Sequence, residues 1–244
     1  MQITRTPAWA PPRVVIYGED KIGKSTFAAE ADAVFVRTED GQPPGAQCLP
    51  VSTTLDHFVE AFVAALDSDA DVICVDHLTG LEQIIRQGVC KSHGVDSIEK
   101  VGGGYGKGFR AATEVWEKDV VPMFDEARAR GKALICIAHH VVKRADAPDV
   151  DPFDAFTLDL HKGVQELIRR WADVIAFAQK EKRIEKHDAG FGKEIIRAVD
   201  VRSRVLRLTG AAAYVAGNRY GLPDTIKLSW AAFNDALATA MASK

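Results

Sequence analysis

The chain has 244 residues, of which 47% are hydrophobic and 27% are charged, and its formal net charge is −3. This length is enough to bury a sizeable core as one α/β domain with small appendages. The slightly acidic balance excludes a general electrostatic attraction for nucleic acid, so any such binding must come from a local basic patch or loop.

The cysteines and the apolar runs indicate the compartment. The four cysteines form no C-x-x-C pair. Cys74 and Cys136 fall inside predicted core strands, where a free thiol behaves as a small apolar side chain, and this favours a reducing cytosol over a disulfide scaffold. The N-terminus lacks the apolar stretch of a signal peptide, and no apolar run approaches about 18 residues, so we expect no membrane span.

The first predicted elements surround a glycine-rich loop. Residues 1–12 contain several prolines and are predicted to be a loose lead-in. The apolar run at 13–17 predicts a buried strand, and a helix-compatible run begins near Lys24. Between them, residues 18–25 form a complete G-x-x-x-x-G-K-[ST] motif in the strand–loop–helix setting that this motif requires.

The residue types in this loop suit a triphosphate. Gly18 and Gly23 allow a tight turn that presents backbone N–H groups to an anion, and the following helix points its positive end at the same place. Lys24 adds a positive charge for the β- and γ-phosphates, and the Ser25 hydroxyl can ligate Mg²⁺. The sequence therefore predicts ATP and Mg²⁺ as ligands. The predicted nucleotide-binding residues are Gly18, Glu19, Asp20, Lys21, Ile22, Gly23, Lys24, Ser25 and Thr26.

Strands and helices then alternate up to residue 178. Residues 101–108 are glycine-rich and are predicted to be the most flexible stretch, and residues 141–159 are predicted to be a long polar loop. The alternation predicts a mostly parallel sheet with helices on both faces and a ligand at the carboxyl ends of the strands. The predicted strands are 33–37, 71–76, 132–137 and 173–177, and the predicted helices are 55–67, 78–92, 109–130, with Pro122 as a kink or a new start, and 160–171.

The pattern changes near residue 179. Short alternating runs at 183–187, 194–199 and 204–208 predict antiparallel strands with a turn at 190–192, and residues 214–216 could add one more. A closing amphipathic helix is predicted at 230–242. We therefore expect one domain over 13–244, which consists of a parallel core (13–178), an antiparallel extension (179–229) and the closing segment (230–244).

Three polar residues follow predicted strands. Asp76 could hold Mg²⁺ opposite Ser25, although an aspartate before a helix is also a common N-cap. Glu39 could orient the attacking water, or it could be a solvated residue in a turn. His139 could sense the γ-phosphate and signal to the following loop, or it could be structural. Zinc is less favoured, because the nearby side chains match no familiar zinc spacing. These are His139, His140, Asp146, Asp149 and His161.

Several motifs together resemble one family. The combination is similar to the phage-type RecA-like ATPases that serve as minimal recombinases or single-strand annealing proteins, which are often described as AAA-type ATP-binding proteins. The resemblance covers about residues 12–224. The stretch 218–223, combined with His139 and residues 171–173, is far more discriminating than the P-loop. The motifs are residues 18–25, 38–41, 75–77, 104–108, 138–140, 171–174 and 218–223.

The resemblance implies a RecA-like core in which the strand before His139 lies between the P-loop strand and the Asp76 strand. It makes Glu39 the preferred catalytic base. It also implies homo-oligomers with ATP at the subunit interface, where Arg219 reaches a neighbour's γ-phosphate. Gly217 stands where related ATPases carry a lysine, and Arg219 could instead be a solvated turn residue. The candidate catalytic residues are Lys24, Glu39, Asp76, His139 and Arg219.

Contact with single-stranded DNA is expected from two segments, because RecA-like proteins bind single strands through two mobile loops. In the first, Tyr105 would stack on a base and Lys107 would contact a phosphate. Lys143 and Arg144 open the second segment, which then becomes acidic. The alternative for both is simple surface flexibility. Basic residues on the next predicted helix could restore a positive surface, and these are Lys162, Arg169 and Arg170.

These observations and the resemblance predict a Mg²⁺-dependent ATPase that binds single-stranded DNA and supports phage-type homologous recombination or strand annealing. A single-strand-binding protein would be a further partner, in the cytosol of a bacterial host. The main alternative is a nucleotide-dependent binding or assembly module with little turnover, which the absence of a lysine at position 217 would favour. A small-molecule kinase is less favoured, because the sequence has no Arg-rich lid segment.

Overall fold

Buried, β-branched strands form the centre of the molecule. The computed structural model describes residues 10–147, 150–188 and 194–242. The strands are β1 Arg13–Gly18, β2 Val34–Arg37, β3 Gln47–Cys48, β4 Val72–Asp76, β5 Ala133–Ala138, β6 His140–Ala147, β7 Val150–Leu158, β8 Val174–Asp188, β9 Glu194–Arg207, β10 Gly217–Asn218 and β11 Thr225–Lys227. The helices are α1 Lys24–Glu30, α2 Leu55–Asp67, α3 Leu78–Ser92, α4 Lys107–Val115, α5 Val121–Ala129, α6 Lys162–Trp171 and α7 Trp230–Ala242, with a 3₁₀ helix at Ile98–Gly103 and a π-helical turn at Trp116–Val120.

One large sheet carries most of these strands. In the described part of the chain its order is β11-β9-β8-β1-β5-β4-β2-β3, and β10 pairs with β8. The strands from β8 to β3 in that order run parallel, whereas β9, β10 and β11 pair antiparallel. The predicted mixed α/β fold, with a mostly parallel sheet and antiparallel strands towards the C-terminus, is confirmed. β5 lies between β1 and β4, as the resemblance implied.

Side chains of β1 alternate between two core layers. Val15 and Tyr17 pack with apolar residues of α2 to α6 on one face. Val14 and Ile16 pack with residues of α1 and α7 on the other face. Both faces of the sheet are thereby removed from water, which explains why the parallel strands are continuous apolar runs.

Several helices have the predicted bounds. α2 and α3 match the predicted helices, although Val59 and Val63 of the predicted apolar stripe of α2 are exposed. The predicted helix at 109–130 is divided into α4, the π-helical turn and α5, and Pro122 lies in the first turn of α5, where proline is tolerated. Within the described residues no helix combines the length and the apolar character that crossing a membrane requires.

The prediction of a loop at 141–159 is wrong. β6 and β7 form an antiparallel hairpin that pairs from His140 opposite Leu158 to Ala147 opposite Val150, with a register shift between Ala145 and Ala147. The aspartates and prolines suggested a loop, but an antiparallel ladder satisfies the backbone while side chains remain in water. The base of the hairpin is anchored, because Phe156 stacks on Phe177 at 5.2 Å between ring centroids.

The predicted C-terminal strands are also longer and fewer than expected. The run at 183–187 continues β8, and the runs at 194–199 and 204–207 belong to one strand, β9. The predicted turn at 190–192 lies outside the described residues, as do residues 1–9 of the lead-in and the end of the closing segment, 243–244. The predicted strand at 214–216 is replaced by single bridges at Tyr214, followed by β10.

The glycine-rich stretch 101–108 is shorter as a loop than predicted. The 3₁₀ helix extends into it, with non-helical backbone at Val101 and Gly102, and α4 begins at Lys107. Residues 102–106 all have positive φ, between 56° and 94°, which glycine adopts readily and Tyr105 adopts at a cost. The stretch is therefore a tight turn between two helices.

Candidate functional site

Four parallel strand ends meet at one edge of the sheet. β1, β5, β4 and β2 are successive neighbours. The chain beyond their carboxyl ends carries the loop that starts at Gly18, then His139, the Asp76–His77 pair and Glu39. Residues from all four segments line a cavity of about 570 Å³. This is the edge at which a parallel sheet places its ligands.

The glycine-rich loop fits tightly against β8. Gly18 has φ +148°, and a Cβ there would lie 2.0 Å from the carbonyl oxygen of Ala178, so only glycine fits. The Lys24 side chain is buried, and its Nζ donates to the carbonyls of Gly18 and Glu19 at 2.9 Å each. Burial lowers the pKa of the Lys24 ammonium, while nearby carboxylates partly oppose that effect. The ammonium is thus held against the backbone carbonyls of the loop.

The other predicted nucleotide-binding residues divide into two groups. Asp20, Lys21, Gly23 and Thr26 line the cavity together with Lys24 and Ser25. The carbonyls of Gly18, Glu19 and Ile22 hold cationic side chains instead.

Ser25 and Asp76 form the contact between the loop helix and β4. The Ser25 hydroxyl donates to Oδ2 of Asp76 at 2.9 Å, and Nε2 of Gln42 donates to the same oxygen at 3.1 Å. Asp76 is only 4% exposed. A buried carboxylate beside a hydroxyl is an oxygen donor pair of the kind that Mg²⁺ prefers, so the residues fit that ion.

Asp76 is not the N-cap of α3, which corrects one alternative interpretation. The cap is His77, whose Nδ1 accepts a hydrogen bond from the Gly80 N–H at 2.8 Å. His77 is buried, and burial together with the neighbouring His139 lowers its pKa. The carboxylate of Asp76 is therefore available to the cavity.

Glu39, His77 and His139 converge beside this carboxylate. Nε2 of His77 lies 3.1 Å from Oε2 of Glu39 and 3.2 Å from Nε2 of His139. Nε2 of His139 lies 3.9 Å from Oε1 of Glu39. The other ring nitrogen of His139, Nδ1, lies 3.3 Å from Asp20 of the glycine-rich loop. The histidine that follows β5 thus joins the phosphate loop to the predicted base.

The residues considered for zinc in the sequence are not assembled. His140 points to the carbonyl of Gly18, with Nδ1 at 3.0 Å, and His161 caps α6. The side chains of Asp146 and Asp149 lie outside the described part of the chain. A different group, Glu39, His77 and His139, has donor atoms within 4.8 Å of one another among the described residues.

Arg219 lies away from this cavity. It is near the amino ends of the strands, where its guanidinium donates to Oδ1 of Asp173 at 3.3 Å and to the carbonyl of Arg170. Arg169, Arg170 and Arg219 border a second cavity there, of about 540 Å³. Within a single chain, therefore, Arg219 and the phosphate loop are at opposite ends of the sheet.

The residues predicted to contact DNA are on the surface. Tyr105 is fully exposed at the tip of its turn. Nζ of Lys107 donates to the carbonyl of Gly102 at 2.9 Å, so Lys107 braces the turn. Lys143 and Arg144 are exposed on β6, where Nζ of Lys143 lies 3.3 Å from the carbonyl of Leu160.

Three residues of the site were missed from the sequence. His77 directly follows Asp76, and its position after a buried strand was a usable signal. Gln42 lies in a proline-rich loop and carries no local signal. Arg204 comes from β9, 182 residues after Ile22, whose carbonyl accepts a hydrogen bond from its Nη1 at 3.0 Å. Only the pairing of the antiparallel strands brings Arg204 to the cavity.

One protein family matches most of the chain. The sequence model of the family described as "AAA domain" matches residues 10–220. No curated protein matches the sequence. Among solved structures, the chain is similar to the flagellar accessory protein FlaH from Methanocaldococcus jannaschii, at 13% identity and TM-score 0.36, over 81% of this chain and 77% of that one. It is also similar to a KaiC-like protein from Pyrococcus horikoshii OT3, at 13% identity and TM-score 0.39, over 82% and 87% of the two chains.

Proposed function

The chain belongs to the AAA domain family, and from that premise we propose that it is a Mg²⁺-dependent ATPase with a RecA-like core that acts on single-stranded DNA in phage-type recombination or annealing. The observation that carries the proposal is the Ser25–Asp76 hydrogen bond of 2.9 Å beside the buried Lys24. It joins a phosphate loop to a strand-end carboxylate, the two parts that a P-loop ATPase needs for MgATP.

The residues of the cavity divide the work of hydrolysis. Lys24 and the loop amides bind the β- and γ-phosphates. Ser25 and Asp76 would hold Mg²⁺, which offsets phosphate charge when it is bound. Glu39, half exposed at the edge of the cavity, orients a water for attack on the γ-phosphorus. His139 reaches both Glu39 and Asp20, so it is suited to respond to the γ-phosphate.

DNA binding in this proposal uses the turn at Tyr105 and the hairpin of β6 and β7. A fully exposed tyrosine in a glycine-rich turn offers a stacking surface, and Lys107 and Lys143 offer charges for phosphates. The hairpin follows directly from His139, so nucleotide state and DNA contact share one segment. A single-strand-binding protein is the proposed further partner, in a bacterial cytosol.

A second candidate function is a nucleotide-dependent assembly module with little turnover. The pairing of Arg219 with Asp173 of its own chain favours it, because a paired arginine is less free to act on a neighbouring subunit's phosphate. Gly217 offers no second cation there. Under this alternative the chain binds ATP and assembles, but hydrolysis stays slow with or without DNA.

Hydrolysis with and without single-stranded DNA separates the two candidates. The proposal expects turnover that DNA stimulates, and a loss of at least about 100-fold for Lys24→Ala. Lys91→Ala, at an exposed position of α3, is the matched control and should keep normal turnover. ATP binding without turnover in either condition would support the assembly module. Normal hydrolysis by Lys24→Ala would rule out this cavity as the active site.

The tyrosine turn is tested by a pair of variants. Tyr105→Ala should weaken binding to single-stranded DNA by about 5- to 100-fold, whereas Tyr105→Phe, which keeps the stacking surface, should bind nearly as well as the wild type. Fluorescence anisotropy with a labelled oligonucleotide, repeated over a salt series, measures both the stacking contribution and the number of phosphate contacts. Wild-type affinity of Tyr105→Ala would remove Tyr105 from the interface.

The shared interface is tested by mixing subunits. A mixture of Arg219→Ala and Lys24→Ala chains should regain part of the activity that each lacks, because one interface then pairs an intact loop with an intact arginine. Assembly of the mixture must be verified by its mass. An assembled but inactive mixture would count against Arg219 acting on a neighbour.

A further inference from the structure

His77 has a fixed protonation pattern. Its Nδ1 accepts the Gly80 N–H at 2.8 Å as the N-cap of α3, so Nδ1 cannot also carry a proton. A neutral imidazole must then carry its proton on Nε2. That nitrogen lies 3.1 Å from Oε2 of Glu39, to which it donates, and 3.2 Å from Nε2 of His139.

Glu39 depends on this donor for its position. It follows β2 in an exposed turn, and its side chain is 51% exposed. A long carboxylate in such a place samples several rotamers unless a partner holds it, and ordering it costs entropy. Its other neighbour in the cavity, Nε2 of His139, is farther away, at 3.9 Å from Oε1. Since His77 is buried and anchored by the helix, it is the rigid member of the pair.

We propose that His77 is a positioning residue for hydrolysis, a fixed neutral donor whose Nε2–H holds Glu39 over the site of water attack. The inference rests on the proposed function and extends it to His77, which lies inside the 75–77 motif but had no predicted role of its own. An arginine would neutralise the carboxylate of Glu39, whereas a neutral donor only orients it. Glu39 therefore keeps its ability to accept a proton from water.

The same cluster has the composition of a metal site, and its hydrogen bonding argues against one. Two histidines and a glutamate are common ligands of zinc. A metal at Nε2 of His77 needs that lone pair, and a neutral ring would then carry its proton on Nδ1. That proton would face the Gly80 N–H at 2.8 Å, so metal binding would break the cap of α3.

A cap-preserving variant tests the inference. Asparagine is a good N-cap, so His77→Asn should keep α3 capped while losing the donor to Glu39. We expect kcat for ATP hydrolysis to fall about 10- to 100-fold, while KM and ATP affinity change by less than about twofold. On a Glu39→Gln background the same change should have little further effect, because the carboxylate that His77 positions is gone.

Each other outcome contradicts the inference in a distinct way. Wild-type kcat in His77→Asn, or equal losses with and without Glu39, would overturn it while leaving Lys24→Ala inactive and the proposed function intact. Calorimetric binding of Zn²⁺ alone to the wild type, lost in His77→Asn, would replace it with a metal site. A wild-type chain that never hydrolyses ATP would overturn both proposals. Thermal unfolding of His77→Asn and His77→Ala shows whether the cap was kept, since only the alanine variant should unfold more easily.

Discussion

Asp76 and Asp173 are each 4% exposed, and they lie at opposite ends of the parallel strands. Asp173 precedes β8, next to the start of β1, and is paired with three arginines. Arg13 bonds both of its carboxylate oxygens, at 3.0 and 3.2 Å, and Arg128 and Arg219 add contacts at 2.7 and 3.3 Å. Burial alone would raise the pKa of Asp173, but the arginines outweigh it and hold the pKa below its usual value.

Asp76, at the end of β4, has neutral partners. Ser25 and Gln42 donate to its Oδ2, and in the described part of the chain no arginine or lysine forms an ion pair with it. Lys24 is near enough to interact electrostatically with Asp76 but forms no ion pair with it, so this buried carboxylate, which is costly to desolvate, can still accept a bound cation. The difference between the two ends separates a carboxylate that is paired with arginines from one that, under the proposed function, would hold Mg²⁺.

The largest effect that separates the two carboxylates is expected for Asp76→Asn. The amide oxygen can replace Oδ2 and keep the bonds from Ser25 and Gln42, so the fold keeps its contacts and loses only the charge. We expect ATP hydrolysis to fall at least about 100-fold, because the cation loses its anionic ligand. The unfolding free energy of the nucleotide-free protein should not decrease. Urea unfolding and steady-state kinetics measure the two quantities, and a large loss of stability would place Asp76 with the structural carboxylates.

Asp173→Asn should give the opposite pattern. Removing the charge leaves three arginines without their shared partner, and we expect a loss of about 3 kcal/mol in urea unfolding, with kcat per folded molecule unchanged. The matched control is Asp125→Asn, since Asp125 pairs with Arg13 but is 48% exposed and should matter by less than about 1 kcal/mol. Loss of hydrolysis by folded Asp173→Asn would contradict the assignment of Asp173 to stability alone.

The pH dependence of the unfolding free energy tests the same pairing of Asp173. Because the pKa of Asp173 is lower in the folded chain than in the unfolded chain, its contribution is complete above the unfolded value of about 4 and is lost as the pH falls through the folded value. The difference in unfolding free energy between the wild type and Asp173→Asn should therefore stay constant from neutral pH to about pH 5 and shrink below about pH 4. A difference that grows on acidification would contradict this assignment.

Arg204→Ala tests the contribution of a cation at the Asp76 end of the strands. Arg204 adds a cation to the cavity that Lys21 and Lys24 also line, and its guanidinium is fixed by the carbonyl of Ile22 at 3.0 Å. Because Arg204 is on an exposed part of β9, we expect a modest effect, a rise of about fivefold in the Kd for ATP. Arg204→Lys keeps the charge, so its Kd for ATP should fall between those of the wild type and Arg204→Ala. Titration with a fluorescent ATP analogue measures the Kd, and an unchanged value would remove Arg204 from the nucleotide site.

The parts of the fold that follow from local patterns could be predicted. The buried runs gave β1, β2, β4 and β5, and helical periodicity located α2 and α3. The hairpin of β6 and β7 could not be predicted, because its polar side chains face water and only the backbone ladder reveals the strands. The site followed the same division. Lys24 and Asp76 stand out in their motifs, whereas the role of His77 depends on which ring nitrogen faces Gly80, and sequence does not specify an orientation.

The smallest structural effect is expected for Arg219→Ala, and for that reason it is informative. The side chain of Arg219 is 55% exposed, and Asp173 still pairs with Arg13 and Arg128 when the Arg219 side chain is removed. The free energy of unfolding in urea should therefore change by less than about 1 kcal/mol. If hydrolysis falls more than about tenfold while stability is unchanged, loss of folded protein does not explain the effect. It would mean that Arg219 acts on a neighbouring subunit's nucleotide. The Asp173 end of one chain would then contact the Asp76 end of the next. The two carboxylates would lie on opposite sides of one interface between subunits.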